Sequence, residues 1–138
     1  MKVKIISNAF YLPEYKENNN DLKADNPNWN MQKISEKTGI FSRSIASPNQ
    51  TALDLGLRAG EKLFSSLACK TDIDLLVLVT QSPEYVLPSG SCILQNKLGL
   101  STKSLAFDIN LGCSGFLYAL RMVTSLIESK QIKNGLII

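Results

Sequence analysis

The chain has 138 residues, 44% of them hydrophobic, and carries 15 Lys and Arg against 12 Asp and Glu, a formal charge of +3. That is one domain's worth of chain with enough apolar residues for a core. The weak charge contains no basic run interleaved with aromatics, which argues against nucleic-acid binding, and the longest apolar run, Leu75–Val79, falls far short of the ~20 residues of a membrane span.

The first eight residues are too short an apolar stretch for a signal peptide. The cysteines Cys69, Cys92 and Cys113 are odd in number and widely spaced. They fit reduced thiols in a cytoplasm rather than a disulfide framework. With no histidine and no close cysteine pair, no zinc site is expected, and no cofactor is called for. A mildly basic surface suits an acidic carrier protein, but an ordinary solvated surface is the simpler reading.

In chain order, residues 2–11 read as a strand closed by Leu12-Pro13. Residues 14–30 are polar and rich in asparagine, a composition that favours turns and a short helix, with helix N-cap candidates at Asn18-Asn19-Asn20-Asp21. Residues 31–37 read as a short helix ended by Gly39, residues 41–46 as a short extended segment, and Ser47-Pro48-Asn49 as a turn. Residues 51–68 form the clearest amphipathic helix, capped by Thr51. Leu53, Gly56, Leu57, Gly60, Leu63, Phe64 and Leu67 follow the spacing of one buried face. Gly56 and Gly60 cost about 1 kcal/mol each in a helix interior, so close packing against a sheet is expected there.

Residues 73–80 form a continuous apolar strand, the mark of a parallel strand covered on both faces. Residues 81–88 read as a loop and 89–98 as a short helix with Gly99 past its end, placing Cys92 in the core. A strand over 103–111, a helix over 114–130 and a final strand over 136–138 complete the pattern. Strands alternating with helices predict an α/β layer: a mostly parallel or mixed sheet of four strands with helices on both faces. The last helix is apolar around most of its circumference, the mark of a helix buried on all sides; one sheet of this size covers one side only, so something else is expected to cover the other. The chain also stops within its last strand. Both features are expected of a half-domain, residues 1–138, truncated within a strand and lacking a C-terminal half.

Cys113 is the leading candidate for chemistry. In Phe107-Asp108-Ile109-Asn110-Leu111-Gly112-Cys113-Ser114-Gly115-Phe116, strand gives way to a tight turn and then a helix. A helix N-terminus offers unpaired N–H groups and partial positive charge, which favour the nucleophilic thiolate. Gly112 and Gly115 clear both flanks for close approach of a substrate carbonyl. The arrangement follows the logic of a nucleophile elbow with sulfur in place of a serine oxygen. A buried cysteine acting as a small hydrophobe is the competing reading. Asp108, at the strand end, is placed to hydrogen-bond backbone groups in the adjacent turn.

These residues resemble the N-terminal half of a β-ketoacyl-acyl carrier protein synthase III, within the thiolase superfamily. The resemblance is carried by Lys4-Ile5-Ile6 with Tyr11-Leu12-Pro13-Glu14, by Thr38-Gly39-Ile40 with Arg43 and Ile45-Ala46, by Pro88-Ser89 with Cys92, by Ala106-Phe107-Asp108, and by Cys113-Ser114-Gly115-Phe116 with Tyr118-Ala119-Leu120. It implies a thiolase-like fold and an acyltransferase of fatty acid or related acyl-chain biosynthesis. It implies that Cys113 accepts the acyl group from acyl-CoA or an acyl carrier protein, that malonyl-carrier protein is then decarboxylated and condensed, and that the full-length protein is a cytoplasmic homodimer. In the family the condensation uses a histidine and an asparagine of the second half, so the fragment alone is expected not to condense. Leu87 falls where a residue reaches across the dimer to limit the acyl pocket; a loop hydrophobe on its own domain is the alternative. Lys37 and Thr38 fall near the CoA entrance; a solvated lysine and a helix-end threonine are the alternatives. Many members have a tryptophan just before that segment, where this chain has Lys33 and its only tryptophan is Trp29, four residues earlier. That departure points toward a carrier-bound primer or a specialised pathway. A non-condensing acyltransferase and a non-catalytic partner subunit are the competing functions.

Overall fold

The structure, a computed structural model, describes residues 3–67 and 72–138. These fall into two compact units, Leu12–Gln50 on the one hand and the described residues of Met1–Tyr11 and Thr51–Ile138 on the other.

The smaller unit pairs strand β1 (Lys16–Asn18) antiparallel with β2 (Ser42–Ser44), with Glu17 opposite Arg43. Arg43 Nη1 meets Glu17 Oε2 at 3.3 Å, and its Nη2 donates to Asn19 Oδ1. Helix α1 (Asn19–Asp25) starts from a capping box: Asn18 Oδ1 accepts from the Asn20 and Asp21 N–H groups, and Asp21 Oδ2 accepts from the Asn18 N–H. Such reciprocal caps satisfy donors that the first turn leaves without partners. Helix α2 (Met31–Thr38) ends at Gly39, whose φ of +70° is a left-handed conformation that glycine adopts without steric cost. The turn, short helix and glycine stop expected for this region are all present.

In the larger unit, helix α3 (Ala52–Ser65) is capped by Thr51 and Asp54 in a second capping box. The expected end of this helix at Ala68, and Cys69 beyond it, lie outside the described residues. Strands β3 (Leu75–Val79), β4 (Leu105–Ile109) and β5 (Gly135–Ile137) form a parallel sheet in the order β4-β3-β5. Helix α4 (Gly90–Lys97) connects β3 to β4, and α5 (Gly115–Glu128) connects β4 to β5.

Strand β3 explains why the sheet is covered twice. Alternate side chains of a strand point to opposite faces. Leu76 and Leu78 join Leu53, Phe64, Leu94, Leu98 and Leu136 on the α3 and α4 side. Leu75 and Val77 join Ala119, Val123 and Ile132 on the α5 side. Leu75, Leu76 and Val77 are fully buried, as a continuous apolar run predicts. The helix glycines do pack closely. A β-carbon on Gly56 would stand 2.9 Å from Ile138, and one on Gly60 3.1 Å from Leu98. The close neighbour is the sheet's end at one glycine and the residue after α4 at the other.

Two expectations are corrected. Residues 3–11 form no strand, so among the described residues the sheet has three strands rather than four. A strand needs ladder partners for its backbone groups, and none of the described strands pairs with this segment; Ile5, Ile6 and Phe10 stay exposed, and Lys62 Nζ donates to the Phe10 carbonyl at 3.2 Å. Cys92 is exposed, because α4 turns Ser91, Leu94 and Leu98 inward and Cys92 sits one residue off that face. Helix α5 meets its expectation: it buries one stripe, Gly115, Ala119 and Val123, against the sheet, while Phe116, Leu117 and Tyr118 remain at least half exposed, as expected of a helix that this sheet covers on one side only. Among the described residues no helix is long and apolar enough to cross a membrane.

Candidate active site

The C-terminal ends of β3 and β4 build the site. Beyond Ile109 the chain makes a turn, closed by the Gly115 N–H donating to the Gly112 carbonyl at 2.8 Å. This turn carries Cys113 and Ser114 and feeds α5. Ser114 takes the N-cap position without a side-chain cap hydrogen bond, so no protein side chain occupies the helix entry from that residue. Cys113 is exposed, which removes the reading of it as a core hydrophobe. Unpartnered first-turn N–H groups favour negative charge or a polarised oxygen nearby.

Close contacts crowd both glycines beside the cysteine, against Val79 and Leu111 at Gly115 and against the movable end of Gln81 at Gly112. A β-carbon at Gly115 would lie 2.5 Å from Val79 Cγ1 and 3.1 Å from Leu111 Cβ. The helix therefore starts flush against the end of β3. At Gly112 a β-carbon would lie 3.1 Å from Cδ, Nε2 and Oε1 of Gln81. The Gln81 carboxamide rests directly on the backbone that precedes the nucleophile candidate.

Asp108 braces the same region. Its Oδ2 accepts from the Gly90 N–H and its Oδ1 from the Ser91 N–H, both at 2.8 Å. The expected bonding to backbone is present, but the turn it serves is the start of α4, not the cysteine's own turn. Ser89, the N-cap of α4, makes no side-chain cap bond; the carboxylate from the neighbouring strand fills that role. Ser89 Oγ instead lies 3.1 Å from Cys92 Sγ.

Cys113 opens into a depression of about 490 Å³ with Val79, Leu111, Phe116, Ile137 and Ile138 as apolar walls and Thr80, Gln81 and Ser82 as polar ones. This lies beyond the carboxyl ends of parallel strands, the usual ligand position in an open α/β sheet. Of the other candidate residues, Leu87 is in the loop between β3 and α4, 83% exposed, before a cis bond to Pro88, and outside the walls of this depression. Lys37 and Thr38 end α2 in the smaller unit. Lys37 is exposed, and the Thr38 hydroxyl donates to the Ile34 carbonyl at 2.8 Å and accepts from the Ile40 N–H at 3.2 Å. Gln81 lies in the loop expected after β3; its place beside Cys113 is not among the expectations read from the sequence. Its position just past an apolar parallel strand was the available signal.

A doubly covered parallel sheet with an exposed cysteine in a glycine-walled turn between strand end and helix defines this chain as a thiolase-like α/β protein. More narrowly, the family model of 3-oxoacyl-[acyl-carrier-protein (ACP)] synthase III matches residues 107–138. The chain is similar to a crystal structure of a 3-oxoacyl-(acyl-carrier-protein) synthase III at 43% identity over 93% of this chain and 38% of the other, TM-score 0.86. Against the synthase III of Aquifex aeolicus the values are 34%, 97%, 43% and 0.85, and against that of Pseudomonas aeruginosa 32%, 94%, 39% and 0.82. The chain thus spans about two fifths of the length of these structures. OleA of Xanthomonas campestris, at 20% identity and TM-score 0.80, shares the fold.

Proposed function

We propose that this chain supplies the acyl-accepting part of a condensing enzyme of the 3-oxoacyl-acyl carrier protein synthase III type. The observation that carries the reading is the exposure of Cys113 in its glycine-walled turn, at the mouth of a depression with apolar walls. Cys113 Sγ attacks the thioester of an acyl-CoA or an acyl carrier protein. Its bond to the acyl carbon forms, the donor's carbon–sulfur bond breaks, and the thiol proton ends on the departing sulfur. Holding the acyl group covalently splits a difficult transfer into two easier steps.

The second step is decarboxylative Claisen condensation with malonyl-carrier protein, in fatty acid or related acyl-chain synthesis. It calls for groups that stabilise an enolate and a thioester oxyanion. Family resemblance assigns these to a histidine and an asparagine outside this stretch, and the chain itself has no histidine. The fragment alone therefore captures acyl groups at most. Leu87, flanked by the 92%-exposed Val86, suits a residue that meets a second subunit of a homodimer and bounds its acyl pocket. Lys37 and Thr38 suit the entrance for the donor's CoA or carrier arm. No metal or cofactor enters this scheme, and its setting is the cytoplasm.

The test is intact-mass spectrometry of the full-length protein after incubation with acetyl-CoA, longer acyl-CoAs and acyl carrier proteins, with Cys113→Ala as control. One added acyl group that the variant loses is expected, and the preferred donor identifies the primer. Supplying malonyl-carrier protein should then release a 3-oxoacyl product. Acylation without that product, but with transfer to an amine or hydroxyl, would indicate a non-condensing acyltransferase. No acylation with any donor would indicate a partner subunit without catalysis.

A further inference from the structure

We propose that Gln81 is a second substrate-contacting residue of this site, donating a hydrogen bond from Nε2 to the carbonyl oxygen of the thioester that acylates Cys113. The inference rests on the acyl-transfer reading above and adds a residue to it.

Three observations carry it. Gln81 lines the same depression as Cys113, at the end of β3, so both side chains border one volume. Its carboxamide lies against Gly112, where any side chain would come within 3.1 Å of three of its atoms; glycine there lets the amide reach the backbone beside the nucleophile. Among the described residues no hydrogen bond engages that carboxamide. A carboxamide carries two donors and an acceptor. The apolar walls, Val79, Leu111, Phe116, Ile137 and Ile138, offer no side-chain partner, and the hydroxyls of Thr80 and Ser82 on the polar side make no hydrogen bond to it. A ligand whose apolar chain lies along those walls brings its one polar carbonyl to the cysteine, within the region Gln81 borders.

Negative charge builds on the carbonyl oxygen as Sγ adds to its carbon. A donor aimed at that oxygen is worth more in the transition state than in the bound ester. Loss of the donor should therefore slow the acylation rate at saturating donor more than it raises the half-saturating concentration.

The experiment follows Cys113 acylation over time by intact mass in the full-length protein, comparing wild type, Gln81→Met, which keeps the length, and Gln81→Glu, which keeps the acceptors and loses the donors. Iodoacetamide labelling of Cys113 reports the thiol's own access and reactivity. Acylation about tenfold slower in both variants at saturating donor, with unchanged labelling, is expected. Wild-type acylation rates in Gln81→Met overturn the inference and leave the acyl-transfer reading standing. Slower labelling in step with slower acylation also overturns it, since Gln81 would then act on the thiol and not on the substrate. A wild type that no thioester acylates overturns the acyl-transfer reading, and this inference with it.

Discussion

Asp108 Oδ2 accepts the backbone N–H of Gly90 at 2.8 Å, tying the strand that leads to the Cys113 turn to the first residue of the helix after the Leu87 loop. The second oxygen takes the Ser91 N–H at the same distance. The carboxylate thus caps α4 from outside that helix, across 18 residues of chain. Gly90 makes the approach possible. A β-carbon there would lie 2.5 Å from Leu78 and 3.4 Å from the carboxylate oxygen itself.

Asp108→Asn should therefore destabilise the fold. The amide offers one acceptor atom where two are used, and its NH2 group faces the second N–H. Charge-assisted bonds of this kind are worth about 1.5–3 kcal/mol each, so a loss of about 2 kcal/mol is expected. A lower urea midpoint at unchanged slope would measure it. An unchanged midpoint would show that α4 is held by its leucines alone.

Gly115→Ala tests the seating of α5. The added methyl would stand 2.5 Å from Val79 Cγ1, so the Val79 side chain, the strand end or the helix start must shift to admit it. Overpacking of this sort costs about 1–3 kcal/mol. Since Gly115 follows Ser114 directly, the shift also moves the turn that carries Cys113. Both a lower unfolding midpoint and a changed rate of Cys113 alkylation are expected, and neither should follow Gly99→Ala to the same degree. There no atom lies within 4 Å of the new carbon, and only the φ of +67° opposes it.

The elements most readable in the sequence are those whose cause is local. The capping box of Thr51 and Asp54, the left-handed stop at Gly39, and the unbroken Leu75–Val79 run all carry their explanation within a few residues. The Cys113 turn is of the same kind, since Gly112 and Gly115 announce a crowded bend. What was not readable depends on distant chain. Residues 3–11 look like a strand but have no ladder partner among the described strands. Asp108 serves a helix that precedes it in the chain, and Gln81 meets Gly112 only through the alignment of β3 with β4. Cys92 lies outside the core because α4 is short, and a single residue's rotation decides which side chains face inward.

Cysteine labelling checks that rotation. Cys92 and Cys113 are both exposed, so peptide mapping after brief alkylation of native protein should find both modified. The Ser89 hydroxyl is 3.1 Å from Cys92 Sγ, and donation to the sulfur leaves access open. Cys92→Ser should leave acyl capture intact, whereas Cys113→Ser should abolish it. Protection of Cys92 in the native state, released only by urea, would restore the core assignment.

The start of α3 gives a pH-dependent prediction. Asp54 accepts from the Thr51 N–H at 3.1 Å and lies 3.0 Å from the Thr51 hydroxyl. The backbone bond first, and the hydroxyl second, hold its carboxyl below the ordinary value of 3.8. Because the folded value is the lower one, the folded state favours the ionised form. The stabilisation is complete above the unfolded value and disappears as pH falls through the folded one. Its window of loss therefore lies at and below pH 3.8. Asp54→Asn cannot ionise and keeps a side-chain acceptor. Wild type should exceed this variant by about 0.3–1 kcal/mol near neutral pH, toward the lower end because solvent screens the carboxylate, the usual scale of a charge in a first helical turn. The gap should close in acid, where the carboxyl is protonated. Urea midpoints of the two proteins at about pH 6 and about pH 3 measure it. A gap that persists unchanged into acid would assign the stabilisation to the shape of the capping box and not to its charge.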